Sequence, residues 1–489
     1  MAISRPIARH RRPRPWARLP RTPLLIAVSL AFLTSLLPPL AIAGTQWYPS
    51  PAVDPECSTN GWAFGCRYPE TVTATVTATK TETQTLTETA TVTASSTVTV
   101  TRTATTTVTA TVAPPPEPTA PSPSLTPSGT AAEFPPFARD CSRDVTAEMN
   151  AWLANFPDGA TVDLAGGCYL SNGTVDLVGR HGITIEGSGA TIKANTDAPA
   201  YTNRAQLGLN LGSDITIRNL TLQGTHTVAR YDSAHEWDHN LRIWGTDGVL
   251  VDHLTFRNAW GDAVYVGPGG TWDATGATAV MARNVTVQNS SVNTTGRMGF
   301  ACTGCKNLLI QDNSITNIGY HVVDVEVQGE PWTGDVTLLR NTYSKTHLAL
   351  LASGSGIGTS RGPFVVRDNV RTDEPTTCEP PIEIGQPDYS VGPVTISGNT
   401  LRSYGDGLEV QGASSVVISN NTVHVGTRGC GAPVGEASNG VDLRNNTSAT
   451  VTGNTFPGAS SIAALVNTPA TVCGNRTDLN ADFALPVPC

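Results

Sequence analysis

Past residue 43 the 489-residue sequence lacks any apolar run close to the ~20 residues that span a bilayer, so the bulk of the chain is no membrane bundle. Charge is sparse, at 15% Asp, Glu, Lys and Arg, and positive charge is the scarcer sign. The first 43 residues hold seven Arg, no Lys and no acid, so their removal takes the basic count from 31 to 24 and the net charge to 24 − 40 = −16. A body that acidic argues against nucleic-acid partners and disfavours polyanionic substrates at long range. The chain also lacks a Ser-His-Asp order, zinc-ligand spacing and a phosphate-cradling glycine loop above chance. One CxxC, Cys302-Thr-Gly-Cys305, has no second CxxC and no thioredoxin-like surroundings, which favours a turn-closing disulfide or buried thiols over redox or zinc chemistry.

The N-terminus reads as an export leader: seven Arg from Arg5 to Arg21, an apolar core Leu24 to Leu37, and an Ala41-Ile42-Ala43 cleavage site before Gly44. Pro38 and Pro39 interrupt the apolar run and favour cleavage over an uncleaved anchor. The expected location is therefore secreted or extracellular, with cell-surface association, and no stable membrane insertion after leader cleavage. Ten Cys, an even number, suit an oxidising compartment. Local pairs are Cys57–Cys66, Cys141–Cys168, Cys302–Cys305, Cys378–Cys430 and Cys473–Cys489, although sequence does not fix the connectivity.

Residues 1–43 are thus read as a signal peptide and 44–70 as a short Cys-containing segment. Residues 71–137 form a Thr/Pro-rich linker: 21 of the 42 residues in 71–112 are Thr, and 113–137 carry nine Pro. The Thr-Val alternation imitates a strand but offers little to a core, so it is read as a disordered, extended stalk. The folded domain is expected over 138–489.

There an apolar-x-apolar triplet recurs: Ile183-Thr-Ile, Ile215-Thr-Ile, Val249-Leu-Val, Val285-Thr-Val, Leu308-Leu-Ile, Val336-Thr-Leu, Phe364-Val-Val, Val394-Thr-Ile, Val416-Val-Ile, Ala449-Thr-Val and Ala470-Thr-Val. Spacings of 21 to 36 residues with no helical periodicity specify an all-β solenoid. Asn follows seven successive triplets, at 313, 341, 369, 399, 421, 454 and 475, where stacked amides can bond from turn to turn. A second strand precedes each triplet: Leu241-Arg-Ile, Val264-Tyr-Val, Phe300-Ala-Cys, Val325-Glu-Val, Leu348-Ala-Leu, Ile382-Glu-Ile, Leu408-Glu-Val and Val441-Asp-Leu. Each turn is then strand, short turn, triplet strand, Asn corner, third strand and loop, for about 10–11 turns. Asp144 to Phe156, with Met149, Trp152 and Leu153 on one face, is expected to cap the N-terminal end as a helix, and the Cys473–Cys489 loop the other.

With this repeat, with Phe156-Pro-Asp-Gly-Ala-Thr-Val and Gly167-Cys-Tyr-Leu at the entry, and with Gly261-Asp-Ala-Val-Tyr-Val-Gly267, the sequence resembles the right-handed parallel β-helix proteins of the pectin lyase-like superfamily. It also resembles a secreted bacterial subgroup with a Gly-Arg-x-Gly segment, here Gly296 to Gly299, and an acidic strand, here Asp324-Val-Glu326. The superfamily holds polysaccharide lyases, glycoside hydrolases, uronate epimerases, tailspikes and adhesins. The resemblance implies a polysaccharide or glycan partner more firmly than it implies a reaction. The polygalacturonase set of paired Asp, Gly-His-Gly and Arg-x-Lys is absent as such.

The outward residues of the first strands should stack as Arg242, Tyr265, Ala301, Glu326, Ala349, Glu383, Glu409 and Asp442. Tyr265 and Glu326 would then flank a notch over Ala301. Asp262 and Glu326 are the expected carboxyl pair for hydrolysis. Arg242 and Arg297 would neutralise a uronate in lyase or epimerase chemistry, with His321 or Tyr265 moving protons. Catalytic candidates are Asp262, Arg297, His321 and Glu326; substrate-binding candidates are Arg242, Trp244, Tyr265, Asp324 and Gln328. Trp237 and Trp332 offer further flat surfaces. Against these roles, Asp262 can be a turn residue like Asp406, Arg297 can simply pair with Asp324, and His321 can be a satisfied loop histidine. No cofactor is expected beyond calcium on the acidic ladder Glu383, Glu409 and Asp442, and the chain is expected to be a monomer. The competing reading is a non-catalytic glycan-binding surface or matrix protein held out on the stalk.

Overall fold

The structure, a computed structural model, describes residues 135–478 apart from 271–278, 329–333, 347–349, 358–361, 376–377, 386–389 and 427–437, and apart from the side chains of 327–328 and 352–357. The leader, the 44–70 segment and nearly all of the Thr/Pro stalk lie outside the described residues, as do Trp332 and the 479–489 end.

One turn shows how the sequence builds the rest. His239–Trp244 enters a first sheet, Asp247–Asp252 a second and Thr255–Ala259 a third, before a loop leads to Val264–Gly267 back in the first sheet. Every strand pairs in parallel with its counterpart one turn on, giving 11, 12 and 11 strands in the first, second and third sheets. That agrees with the turn count expected from the triplets. The triplet register holds from end to end: Val249 pairs with Ile215 and Val285, and Val251 with Ile217 and Val287. The first and third residues of each triplet point inward, so Ile217, Val251, Val287, Ile310, Leu338, Val366, Ile396 and Ile418 form one buried column. Burying each such side chain is worth about 1.5–3 kcal/mol, and no helix could place them in one file.

The seven asparagines do line up. From Asn313 through Asn341, Asn369, Asn399, Asn421 and Asn454, each Nδ2 donates to the Oδ1 of the next at 2.8–3.0 Å, ending on Asn475. Each also donates to a carbonyl of the preceding turn, for example Asn399 to Val366 O at 2.8 Å. Ser290 continues the column: its N–H donates to Asn313 Oδ1 and its hydroxyl accepts from Leu254 N–H. The left-handed backbone falls on the residue before each ladder position, at Asn289, Asp312, Arg340, Asp368, Gly398, Asn420, Gly453 and Gly474. The ladder asparagine is therefore selected for its amide, and the strain of the corner is carried one residue earlier.

At the N-terminal end a helix, Thr146–Ala154, buries Met149, Trp152 and Leu153, the face expected from sequence. Its Asn150 meets the open edge of Val175–Val178, donating to Thr174 O and accepting from Asp176 N–H at 2.9 Å each, so the edge groups are paired. Cys141–Cys168 ties the preceding strand to the first turn. Cys302–Cys305 is a disulfide as well, and Cys378 and Cys473 are disulfide-bonded, with positions 430 and 489 outside the described residues.

Two strands run in a register other than the expected one. Phe300, Ala301 and Cys302 pair with Val323, Asp324 and Val325, so Asp324, and not Glu326, stacks on Ala301. The strand Val323–Gln328 alternates Val with acid, so a slip of two residues buries the same kind of side chain and patterning does not choose. On the next turn Leu351, and not Leu348, pairs with Val323 and Ile382. The outward ladder is therefore Arg242, Tyr265, Ala301 and Asp324, then Glu383, Glu409 and Asp442 after one rung whose backbone alone is described.

Candidate functional site

The site is built where the first sheet meets the loops that enter it. Two glycines let neighbouring corners come close. A Cβ at Gly261 would lie 2.3 Å from Glu236 O, and one at Gly296 would lie 2.2 Å from Trp260 O. Next to each stands a charged side chain, Asp262 and Arg297. Arg297 Nη1 donates to Asp262 Oδ2 at 3.1 Å and its Nη2 to Glu326 Oε1 at 2.7 Å. Asp262 Oδ1 accepts Met298 N–H at 3.0 Å, as Asp406, at the same corner five turns on, accepts Asn439 N–H at 2.8 Å.

Asp262 is fully buried, and of the expected Asp262–Glu326 pair the two carboxylates meet through Arg297, which bonds both. Burial pushes its carboxyl up to about 6, while Arg297 and the Met298 N–H pull the other way. His239 lies against it, but the ring accepts Asp262 N–H on Nδ1 and burial lowers its pKa well below the usual range, so it is neutral and no ion-pair partner. Arg297 pairs with Glu326 instead of Asp324, because Glu326 is one alternation further along the same strand.

Asp324 and Glu326 project to one side of that strand, at i and i+2. Burial first, then the Glu326 charge and a hydrogen bond between the two carboxyls, raise Asp324 well above the ordinary carboxylate range. Beyond it the ladder continues past the rung at 352 to Glu383 and Glu409, both half-buried and both raised by burial. Asp442 is gripped by Arg444, whose Nε donates to it at 3.0 Å.

The notch over Ala301 is filled. Tyr265, Met298 and Ala301 form a small buried cluster with Trp237 and Trp244 packed against it. Tyr265 stacks on His239 at 4.6 Å, and its hydroxyl bonds Thr303 Oγ1 at 2.7 Å, inside the Cys302–Cys305 turn. Arg242 lies 4.0 Å over the Trp244 ring, 3.6 Å from Asp176, with Nη1 donating to Asn203 O. Tyr265, Met298, Ala301, Trp237 and Trp244 thus pack together over the notch, and Arg242 and Arg297 both have acidic partners. His321 is buried with its ring edge against Tyr320, and the Gln328 side chain lies outside the described residues. Sequence reasoning missed Tyr231, Glu236 and Tyr320. Tyr231 donates to Glu236 Oε2 at 2.6 Å and stands 5.9 Å from Tyr320, ring to ring. Among the described residues no group of three or more His, Cys, Asp or Glu is arranged to hold a metal, and no helix is long and apolar enough to cross a membrane.

Residues 385–487 match the family described as a right-handed β-helix region. The fold is a right-handed parallel β-helix. Among curated sequences the β-helix chain is 24% identical over 257 residues to the SPbeta prophage-derived uncharacterized protein YorA of Bacillus subtilis (strain 168), a match covering 49% of this chain. It spans only 42% of that relative's length. Solved structures of similar fold include the Azotobacter vinelandii mannuronan C-5 epimerase AlgE6 A-module, at 15% identity and TM-score 0.48 over 71% of this chain and 98% of that one. The Streptococcus pneumoniae surface protein and adhesin PfbA is similar at 13% identity and TM-score 0.45, over 71% and 99%.

Proposed function

We propose that the protein is a secreted glycan hydrolase acting on neutral polysaccharide, with its site on the outward face of the first sheet. The observation that carries this reading is the hydrogen-bonded Asp324–Glu326 carboxyl pair two rungs from Glu383 on the same sheet. Adjacent rungs are ~4.8 Å apart, so Asp324 and Glu383 are about 10 Å apart at the backbone. That suits the roughly 6.5–9.5 Å between carboxyls of inverting hydrolases better than the ~5 Å of retaining ones. Asp324 would protonate the glycosidic oxygen, and Glu383, its basicity raised by burial, would take a proton from the attacking water. Arg297, fixed by Asp262, holds Glu326 in place beside Asp324.

Lyase and epimerase chemistry fits less well. Each needs a cation to meet a uronate carboxylate, and Arg297 and Arg242 already serve Asp262, Glu326 and Asp176. The second reading, glycan binding without turnover on a Thr/Pro stalk, is favoured by the same tight pairing of charges. Reducing-end release from a panel of neutral polysaccharides separates the two. The pH profile is a further test. Protonating Asp262 frees Arg297, so kcat/KM should rise as pH passes about 6, and it should fall at higher pH as Asp324 loses its proton. Asp262→Asn should flatten the acid limb; an unchanged limb would remove Asp262 from its positioning role.

A further inference from the structure

Two exposed aromatic side chains face each other: Tyr231 and Tyr320 are 41% and 38% exposed, with ring centroids 5.9 Å apart and planes 32° from parallel. They come from distant parts of the chain. Tyr231 lies on the segment between Thr221–Gln223 and His239–Trp244, and Tyr320 follows Ser314–Ile318. Each is anchored to the site. Tyr320 N–H donates to Arg297 O at 2.9 Å, and the Tyr231 hydroxyl donates to Glu236 Oε2 at 2.6 Å. Their surroundings are the site's own charges: Arg297 and Glu326 act on Tyr231, and Asp324, Glu379 and Glu383 act on Tyr320. Two aromatic faces held half in water beside carboxylates form an apolar surface with an acceptor rim. A pyranose ring has the matching form, with an apolar C–H face and hydroxyl donors around its edge.

We propose that Tyr231 and Tyr320 form a stacking subsite for one pyranose ring of a neutral glycan, holding the chain across the Asp324 rung. This rests on the hydrolase reading and adds the residues that seat the sugar. An anionic uronate ring would meet the acidic rim without a free cation to balance it, so discrimination against uronates follows from the same placement.

The test is binding by the full chain in an Asp324→Asn background, in which turnover of unactivated glycans is slowed about a thousandfold. The probes are short fluorescent oligosaccharides of cellulose, β-1,3-glucan, α-1,3-glucan and chitin, with oligogalacturonate as the anionic comparison. At least one neutral probe should bind. Tyr231→Ala and Tyr320→Ala should each raise its Kd about tenfold with the melting temperature unchanged, and Tyr320→Phe should restore affinity. Oligogalacturonate should bind at least about tenfold more weakly. The subsite is overturned if the alanine variants bind within twofold of their parent, or if no neutral probe binds the parent. Loss of binding in the tyrosine variants, together with no hydrolysis of any neutral probe by the unsubstituted protein, would sink the hydrolase reading and leave the subsite standing.

Discussion

Asp324→Asn should lower kcat about a thousandfold on an unactivated glycan, within the range general acid catalysis supplies. The amide keeps the side chain's shape and can still donate a hydrogen bond to Glu326, so KM and stability should change little. What it lacks is a transferable proton. An aryl glycoside with a low-pKa leaving group needs no acid, so the variant should recover most of its rate on that substrate. Glu383→Gln should be equally impaired on both substrates, because attack by water still needs its base. This pattern separates an acid from a base on the same face. Asp324→Asn retaining more than a tenth of the rate on the natural linkage would move the acid elsewhere.

Asn399→Ala should cost about 3 kcal/mol in urea unfolding. Asn399 donates to Asn421 Oδ1 and Val366 O at 2.8 Å and to Ser397 O at 3.1 Å, and accepts Asn369 N–H at 2.9 Å and Nδ2 at 3.0 Å. Truncation leaves the Asn369 N–H and the Val366 carbonyl buried without partners, each costing about 1–3 kcal/mol. Asn284 offers the contrast. It stands in a similar column, accepting from Asn307 and donating to Asp247, but on the exposed side. There water replaces the lost bonds, and Asn284→Ala should cost under about 0.5 kcal/mol. Equal costs at the two positions would mean that burial of the ladder contributes nothing.

The coil and its amide column were legible because they repeat. Seven asparagines in phase with buried triplets leave one arrangement that keeps every side chain on its proper face. The capping helix was legible for the same reason, since Met149, Trp152 and Leu153 fall on one side only. The site was less so. Asp262, Arg297, Asp324 and Glu326 do meet, but sequence placed Glu326 one alternation too early, because Val-Asp-Val-Glu-Val reads identically in either register. The cover over Ala301 was invisible as well: Met298 and Trp237 arrive from loops whose path no strand pattern sets. Tyr231 and Glu236 lie on a long loop with no periodicity, and only the closeness of Gly261 to that loop hints that it packs there. The acidic rungs Glu383 and Glu409 were legible as a ladder from their place in the repeat, and burial raises both carboxyls.

The most direct measurement is a proton NMR time course of the protein with a panel of neutral polysaccharides, followed in the anomeric region and by absorbance for unsaturated uronates in parallel pectin and alginate digests. The account predicts a new reducing-end signal of inverted configuration from a neutral glycan and no unsaturated product. Unsaturated uronate, retained configuration, or no product from any neutral glycan while the protein binds one would contradict it.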